Sequence, residues 1–174
     1  MYPRELKGRL VTVRFLHPTF FAEYHAMFSQ KVREILGLSL TAQFQETEQY
    51  LQDVLRGLEK SNALFYCIFN NTDNRLIGAV EIREKDHPQG QLGCWLNEHY
   101  WGTGRFQEAL DLVIPIFFKE NKEIDSFNAL VVCDNQRSYH ALIKYGFEEI
   151  SSQVLCRGKK ARELVMRRGK IDKQ

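Results

Sequence analysis

Two glycines set one residue apart close the most informative segment of the sequence, His99-Tyr-Trp-Gly102-Thr-Gly104. The segment separates a run typical of a strand, which ends near Asn97, from a run typical of a helix. Glycines in such a turn allow the backbone to aim successive N–H groups outward, and the start of the helix adds partial positive charge. These features predict a site for a phosphate or pyrophosphate, to which Arg105 would add a direct charge.

The glycine pair alone does not identify a nucleotide-binding motif. Gln107 stands where a dinucleotide fingerprint has its third glycine, and the turn follows a late strand. No Gly-Lys-Ser/Thr triplet follows the turn, which excludes a P-loop. A turn that Gly102 and Gly104 shape for purely structural reasons is therefore kept as the alternative to an anion site.

Hydrophobic periodicity indicates the elements that would position this turn. The predicted strands are residues 10–16, 63–69, 76–83, 91–96, 127–133, 149–157 and 160–167. The predicted helices are a short one from Pro18 or Thr19, one with Thr41 as N-cap, one over 104–119, and one over 136–145 that ends at Gly146. Antiparallel hairpins combined with one helix-connected strand pair predict an α+β fold, with helices on both faces of a mixed sheet.

Two local signals refine this prediction. Pro115 lies inside the predicted helix 104–119, so we expect that helix to be kinked or shortened. Residues 70–74 are rich in Asn and Asp, which favour a turn between two strands. Further turns are expected at 86–90 and at Gly158.

Length and composition exclude several classes of protein. The 174 residues are 44% hydrophobic and 26% charged, as in ordinary globular chains. The length predicts a single domain over residues 1–168 and a flexible tail over 169–174. Apolar stretches are far shorter than the roughly 20 residues that a membrane span needs, and no signal peptide is evident. We expect a cytoplasmic protein without a membrane partner. The net charge of +2 does not predict nucleic-acid binding.

The four cysteines do not form a pattern that predicts chemistry. They are Cys67, Cys94, Cys133 and Cys156, and no two of them are close in sequence. Structural zinc sites need closely spaced ligand pairs, and disulfide frameworks belong to small secreted chains. We therefore expect no metal ligands and four buried thiols in strands.

Around the glycine pair the sequence resembles the GNAT acyl-CoA N-acyltransferases. Residues 99–104 match the signature Gln/Arg-x-x-Gly-x-Gly/Ala, with His99 in place of the usual Gln or Arg. The preceding Leu92-Gly-Cys94-Trp-Leu96 is similar to the Ile-Gly-Tyr-Trp-Ile strand of the branch that includes ribosomal-protein N-terminal acetyltransferases. Residues 135–147 match that branch's Asn-x-x-Ser-x-x-x-Leu-x-x-x-Gly-Phe. With the first strand and its Arg14, the resemblance extends over roughly residues 8–168.

The resemblance implies a fold and an activity. The fold would be a mostly antiparallel sheet of about seven strands, with a splay between the fourth and fifth strands. The activity would be transfer of an acetyl group from acetyl-CoA to a primary amine by direct attack in a ternary complex. The residues implied to bind the pyrophosphate and the pantetheine arm are Leu96, Asn97, Gly102, Thr103, Gly104, Arg105, Phe106 and Asn135. Asn135 equally suits the N-cap of a helix.

The resemblance implies Ser138 as the catalytic acid. Many members of the family have a tyrosine acid where this chain has Leu142, which cannot donate a proton. A serine at the position of Ser138 is implied to stabilise or protonate the leaving thiolate in the N-terminal acetyltransferase branch. The alternative is a small residue that packs closely in the first turn of the helix.

The general base is open at this stage. The branch often has a glutamate two residues before the glycine of Ile-Gly-Tyr-Trp. Here that position is Gln91, and a carboxamide cannot accept a proton. The remaining candidates are Glu81, Glu98, His99 and Tyr139. Of these, we expect Glu98 to be a solvated surface charge and His99 to support the turn.

The acceptor is a primary amine whose identity the sequence leaves open. An α-amine has a pKa near 7.7–8.0 and a lysine amine near 10.4, so deprotonating lysine costs roughly 3.4 kcal/mol more. A site without a carboxylate at the expected place favours the α-amine, which leads to the hypothesis of a protein or peptide N-terminus. Polyamine or aminoglycoside acceptors, a non-catalytic CoA-binding module, and a nucleic-acid-binding role for the basic C-terminal stretch are the alternatives. The oligomeric state is expected to be a monomer or a homodimer.

Overall fold

A computed structural model describes residues 2–58, 63–85 and 89–171 of the chain. Its strands are β1 Glu5–Lys7, β2 Val11–Phe15, β3 Leu64–Asn70, β4 Leu76–Lys85, β5 Gln89–Leu96, β6 Ser126–Val132, β7 Glu148–Cys156 and β8 Lys159–Arg167. Its α-helices are α1 Phe21–Met27, α2 Gln30–Leu36, α3 Phe44–Leu58, α4 Arg105–Glu120, α5 Gln136–Tyr145 and α6 Arg168–Ile171. Short 3-10 helices cover Pro18–Phe20 and Glu98–Tyr100.

The described strands form one sheet in the order β1-β2-β3-β4-β5-β6-β8-β7. Every neighbouring pair is antiparallel except β5 and β6, which are parallel and are connected by α4. The side chains of β3 alternate between two hydrophobic clusters, one shared with α4 and α5 and the other with α1, α2 and α3. This burial on both faces explains why β3 reads as a continuous apolar run. The predicted α+β fold, with helices on both faces of a mixed sheet, is confirmed.

Two elements were not predicted. The strand β1 adds an eighth strand to the described sheet, where about seven were expected, and it pairs with β2 at the edge. Its three residues are too few and too polar to show an alternating pattern. The helix α2 begins after Ser29, whose hydroxyl accepts the Val32 N–H at 3.2 Å, and it ends at Gly37 with φ of +67°. Both caps are visible in the sequence, but seven residues give little periodicity.

Two local predictions differ from the structure. Thr41 is not the N-cap of α3, because the helix begins at Phe44 and the Gln43 N–H is bonded to the Glu46 carboxylate at 2.6 Å. Helix α4 is not shortened at Pro115. That residue lies on the exposed side, where water can satisfy the carbonyl that loses its partner, while the opposite side of the helix is held in the core.

The termini and cysteines also differ from expectation. Of the tail predicted over 169–174, residues 169–171 belong to α6, and Ile171 packs on the core. Residues 172–174 lie outside the described residues. Of the four cysteines only Cys67 is buried by area, and Cys133 follows β6 rather than lying in it. All four are free. Of the turn predicted at 86–90, residues 86–88 lie outside the described residues and 89–90 belong to β5.

The start of α4 is tied to the start of β2 by one carboxylate. Glu108 accepts the backbone N–H groups of Arg9, Leu10 and Val11 at 3.0, 2.6 and 2.8 Å. Because Leu10 and Val11 are partly or fully buried, removing the carboxylate leaves donors that water reaches poorly. The pairing therefore fixes where α4 begins relative to the sheet.

We expect Glu108→Ala to lower the free energy of unfolding by about 3 kcal/mol, since each unsatisfied buried donor costs about 1–3 kcal/mol. For a domain of this length, the loss corresponds to a fall in Tm of roughly 6–12 °C. Thermal denaturation would measure it. Glu108→Gln keeps one acceptor oxygen and should lose less than half as much. Glu48→Ala on α3 is the control, and an equal loss in that variant would contradict the prediction.

Candidate functional site

The two parallel strands at the centre of the sheet separate along their length. Their ladder contains only the pairs Gly90↔Phe127, Gln91↔Asn128 and Leu92↔Ala129. Beyond it, residues 93–96 of β5 and 130–132 of β6 continue as strands without pairing to each other. The result is a V-shaped gap in the sheet. It is the predicted splay between the fourth and fifth strands, with the numbers raised by one because β1 precedes them.

Backbone groups of β5 point into this gap. The Asn97 N–H donates to the Ile77 carbonyl at 2.8 Å, which fixes the register of β5 on β4. Because antiparallel ladders alternate, the N–H and C=O groups of Leu96 and Cys94 face away from β4 and toward β6. The Leu96 carbonyl accepts the Trp101 indole N–H at 2.7 Å, as this orientation requires. The Leu96 N–H is thus directed into the splay.

Asn97 holds the end of β5 in place through hydrogen bonds to α1, to the following turn and to β4. It is buried, its Nδ2 donates to the Met27 carbonyl at 2.9 Å, and its Oδ1 accepts the His99 N–H at 3.2 Å. The Nδ1 of His99 lies 2.9 Å from the same oxygen, so His99 supports the turn, as expected. With its N–H also bonded to β4, Asn97 orients the turn, and Leu96 presents the donor to the gap.

The glycine turn has the backbone conformation that the sequence predicts. Gly102 and Gly104 have φ of +71° and +81°, a region that other residues rarely adopt. Gly104 is the N-cap of α4, and no side chain of the described residues caps it. The first N–H groups of a helix have no partner inside the helix. A Cβ built at Gly102 would meet no atom within 4 Å, so the turn faces open space.

A cavity of about 130 Å³, which we call the turn cavity, lies beside this turn. It brings together seven of the nine residues predicted for the site: Leu96, Gly102, Thr103, Gly104, Phe106, Asn135 and Ser138. Asn97 and Arg105 are outside its lining. The Arg105 Nε donates to Asn70 Oδ1 at 2.9 Å instead. Arg137, which the sequence analysis did not single out, supplies a cation, with its guanidinium 4.7 Å from the centre of the Trp101 ring.

A second cavity of about 550 Å³, which we call the large cavity because it exceeds the turn cavity, lies between α2, α3 and the sheet. The two cavities meet in the splay, where six residues line both: Ile35, Leu36, Cys94, Trp95, Asn135 and Ser138. The β7–β8 turn reaches over the large cavity, because the Arg157 Nη1 donates to the Leu36 carbonyl at 2.8 Å. A molecule in the turn cavity and another in the large cavity would therefore meet at the splay.

Ser138 lies at this junction because of the helix that carries it. Asn135 is the N-cap of α5, and its Oδ1 accepts the Ser138 N–H at 3.2 Å, so the cap role that the sequence left open is present. The Ser138 hydroxyl has no hydrogen-bond partner in the described part of the chain. Leu142, one turn later, is buried and lines the large cavity without a proton to give. Ser138 is the hydroxyl that α5 presents to both cavities.

Glu81 is the carboxylate that lines the large cavity from β4. Its side chain is 13% exposed, Oε1 pairs with Arg83 at 3.2 Å, and Oε2 has no hydrogen-bond partner among the described residues. Burial raises the pKa of Glu81 above the usual carboxyl value, while Arg83, the Tyr50 hydroxyl and Arg157 act in the opposite direction. A buried carboxylate with an unused oxygen and a raised pKa is a suitable general base.

Glu81 lies next to the position where the sequence lacks a base. In the β4–β5 ladder Glu81 is opposite Gly93 and Arg83 is opposite Gln91, so all four share one face of the sheet. A Cβ at Gly93 would come 2.6 Å from Oε1 of Glu81. Gly93 therefore provides the space into which the carboxylate folds. The Glu81 carboxylate on β4 therefore lies beside the position on β5 where Gln91 replaces the expected glutamate.

The other candidate bases are engaged elsewhere. Glu98 is half-buried rather than a solvated surface charge, since its Oε2 accepts the Ser29 hydroxyl at 2.5 Å at the start of α2. Neither it nor His99 lines either cavity. Tyr139 faces the opposite side of α5, where a hydrogen bond to Glu149 raises its pKa and the Arg162 guanidinium lies 4.2 Å from its ring centre. Only Glu81 of the four adjoins the splay.

A cysteine and three aromatic side chains near the site clarify the chemistry. Although Cys94 is only partly buried by area, desolvation of its thiol, followed by the nearby Glu81 charge, raises its pKa to about 12, so the thiol stays protonated at neutral pH and is a poor nucleophile. The aromatic residues Phe21 and Tyr24 of α1 are buried in the hydrophobic core. Tyr24 also lines the large cavity, and its hydroxyl accepts the Trp95 indole N–H at 3.1 Å. Phe20 packs on Phe69 and lines neither cavity.

The described part of the chain offers neither a metal site nor a membrane-spanning helix. The described residues contain no group of three or more His, Cys, Asp or Glu side chains that could hold a metal ion. No helix in the ranges 2–58, 63–85 and 89–171 is long and apolar enough to cross a membrane.

Comparison with known proteins identifies relatives of this fold. Residues 10–148 match the acetyltransferase (GNAT) domain family. A search of curated protein sequences finds no match.

Solved structures provide similar folds at low identity. A ribosomal-protein-S5-alanine acetyltransferase from Vibrio fischeri is 16% identical over 94% of this chain and 96% of its own, with a TM-score of 0.76. The microcin C7 self-immunity acetyltransferase in complex with acetyl-CoA and AMP is 15% identical over 95% and 97%, with a TM-score of 0.78. A spermidine N-acetyltransferase chimera from Vibrio cholerae is 14% identical over 95% and 100%, with a TM-score of 0.75. Similarity at this level concerns the fold alone.

Proposed function

This chain belongs to the GNAT acetyltransferase family, and on that premise we propose that it acetylates the N-terminal α-amine of a protein or peptide. The acetyl donor of the family is acetyl-CoA. The observation that carries the proposal is the meeting of the turn cavity and the large cavity at the splay, beside Ser138 and Cys94. One cavity has the properties of a phosphate site, and the other holds a buried carboxylate.

The lining of the turn cavity has the chemistry that the diphosphate and the pantetheine arm of coenzyme A need. Unpaired N–H groups at the start of α4 and the positive φ of Gly102 and Gly104 form an anion site. Arg137 adds a positive charge on the rim. Leu96 and Asn135 line the turn cavity, and their N–H and amide groups would bind an extended polar chain in the splay, as an added strand does.

Each catalytic role is assigned to one group of this chain. Acetyl-CoA supplies an activated thioester. Glu81 accepts the proton of the attacking amine, directly or through water in the large cavity. The Leu96 N–H stabilises the negative charge that develops on the acetyl oxygen. Ser138 donates a hydrogen bond to the sulfur as it leaves. Direct attack is favoured over a route through Cys94, since that thiol is held protonated.

The preference for an α-amine is based on pKa values. Deprotonating a lysine amine costs roughly 3.4 kcal/mol more than deprotonating an α-amine at neutral pH, a difference of about 300-fold in the reactive form. Glu81 is bonded to Arg83, which limits how far its pKa rises and therefore how strong a base it is. A weakly basic amine is the acceptor that such a site can activate.

Matched peptides would test the proposal. One peptide has a free N-terminus and no lysine, and the other has a blocked N-terminus and one lysine. We expect release of free thiol from acetyl-CoA to be at least about 30-fold faster with the free N-terminus, given the difference in amine pKa. Faster turnover of the lysine peptide would contradict the α-amine assignment, and faster turnover of spermidine would favour the polyamine alternative.

A binding measurement separates cofactor failure from acceptor failure. Coenzyme A at about 100 times its Kd should stabilise the protein by about 2.7 kcal/mol in a thermal-shift assay. Gly104→Val forces a β-branched residue into positive φ at the anion site and should abolish most of that shift. Gly169→Ala, in the C-terminal helix with open space around it, is the control. A full shift in Gly104→Val would argue against the glycine turn as the phosphate site.

A further inference from the structure

Arg33, one of the cations that line the large cavity, has no ion-pair partner among the described residues. Arg33 on α2 is 7% exposed and lines the cavity. Its Nε donates to the Phe28 carbonyl at 3.1 Å, and its guanidinium lies 4.6 Å from the centre of the Phe28 ring. Its Nη2 is buried without a hydrogen-bond partner among the described residues. The same residues include no carboxylate that forms an ion pair with it.

Burying an unpaired cation costs free energy unless a bound ligand supplies the opposite charge and the missing hydrogen bonds. Arginine stays protonated in proteins, so it cannot escape the cost of burial by losing its charge. Arg168 shows how this chain treats another shielded guanidinium, which donates to the carbonyls of Phe118, Asn121 and Ile124 at 2.6–2.7 Å. Arg33 has one carbonyl and one aromatic ring, whereas Arg168 has three carbonyls, the Phe118 ring and the Asp125 carboxylate at 4.0 Å.

The other charges of the large cavity do not neutralise Arg33. Its lining contains the cations Arg33, Arg83 and Arg157 and the anions Glu46 and Glu81. Arg83 is paired with Glu81, and the Glu46 carboxylate is bonded to a backbone N–H at the start of α3. The cavity wall therefore has excess positive charge, which disfavours a polycationic acceptor and favours one that carries an anion.

We propose that Arg33 binds a carboxylate on the acceptor, so that the substrate is a primary amine bearing an acidic group. The inference deepens the proposed function and rests on it. A planar guanidinium pairs with a carboxylate through two parallel N–H···O bonds, and stacking on Phe28 holds its plane in place. The carboxylate has two possible sources, the α-carboxylate of an amino acid or an acidic side chain near a peptide N-terminus.

The experiment compares acceptors that differ only in the carboxylate. One arm uses free amino acids against their C-terminal amides, and the other uses N-terminal peptides with Asp or Glu at the second position against Asn or Gln. Each acceptor is measured twice, by kcat/KM in acetyl transfer and by its Kd for the protein saturated with coenzyme A. Binding to the saturated protein gives a readout that does not depend on turnover.

The variants assign any preference to Arg33. We expect the carboxylate to improve kcat/KM and Kd by about 30-fold in at least one arm, the size of effect typical of a buried charge pair. Arg33→Met should remove that preference and leave the affinity for coenzyme A unchanged. Arg33→Lys keeps the positive charge but lacks the paired N–H donors of the guanidinium, so it should keep part of the carboxylate preference. Arg56→Gln on the exposed side of α3 removes the same charge elsewhere and is the control.

The outcomes separate the two proposals. Equal affinity and equal turnover of acid and amide in both arms would overturn the role of Arg33 and leave the acetyltransferase assignment intact. A carboxylate preference that persists in Arg33→Met would also overturn it. Absence of any coenzyme A thermal shift in the wild-type protein would overturn the proposed function itself. A preference confined to the amino-acid arm or to the peptide arm supports the inference and identifies the source of the carboxylate.

Discussion

Glu81→Gln should lower kcat by about 10²–10⁴-fold, the contribution that a positioned general base makes. The amide keeps the size and polarity of the side chain but cannot accept the proton of the attacking amine. The affinity for coenzyme A should be unchanged, because Glu81 lines the large cavity and not the turn cavity. Steady-state thiol release and a coenzyme A thermal shift would measure the two quantities.

The pH dependence of this variant distinguishes a base from a structural carboxylate. The raised pKa of Glu81 means that folding favours its protonated form, so its contribution to stability is lost as the pH rises through that pKa. At neutral pH Glu81→Gln should therefore leave Tm unchanged or raise it. In the wild type the acid limb of log kcat against pH should lie above the pH of an ordinary carboxyl group. The variant should lose that limb and keep only the limb of the acceptor amine.

Gly93→Ala is a second way to test the same carboxylate. A Cβ at this position would come 2.6 Å from Oε1 of Glu81, whose flexible end can move aside. The variant should fold normally and lose activity, because the carboxylate leaves its position over β5. Glu123→Gln on the exposed α4–β6 connection is the control for loss of a carboxylate. Full activity in Glu81→Gln would exclude the residue as the base and favour ordered water.

The sequence allowed the fold and the conformation of the glycine turn to be predicted because their signals are local. A glycine that needs positive φ, as Gly102 and Gly104 do, is required by the turn in which it lies. The apolar run of β3 likewise reports burial on both faces of one strand. The strand β1 and the helix α2 were missed, since three and seven residues carry too little periodicity to separate them from loops.

The acceptor side could not be predicted because it depends on contacts between distant parts of the chain. Glu81 was one of four candidates, and only its register against Gly93 shows that the carboxylate folds over β5. Arg33 lies on the unpredicted helix α2, so no pattern indicated that it faces a cavity. The cation beside the turn was mispredicted for the same reason. Arg105 was chosen because it follows the glycine turn in the sequence, but it bonds Asn70, and the fold brings Arg137 to the turn cavity instead.

Ser138→Ala should lower kcat by about 10²-fold, the loss that follows removal of one hydrogen-bond donor to a developing negative charge. The hydroxyl lines both cavities where they meet and has no other partner in the described residues, so its removal costs no internal bond. We expect the Kd for coenzyme A to change by less than about 3-fold. Because alanine favours helix formation more than serine does, Tm should stay equal or rise slightly.

The hydroxyl, rather than the small size of the residue, is what this prediction concerns. Ser138→Thr keeps the donor and should retain much more activity than Ser138→Ala, whereas Ser138→Gly should be as impaired as alanine. Ser152→Ala on the exposed face of β7 is the control for a lost hydroxyl. If Ser138→Ala kept full kcat, serine would serve only to pack the first turn of α5. Because Leu142 cannot donate a proton, the leaving sulfur would then take its proton from water.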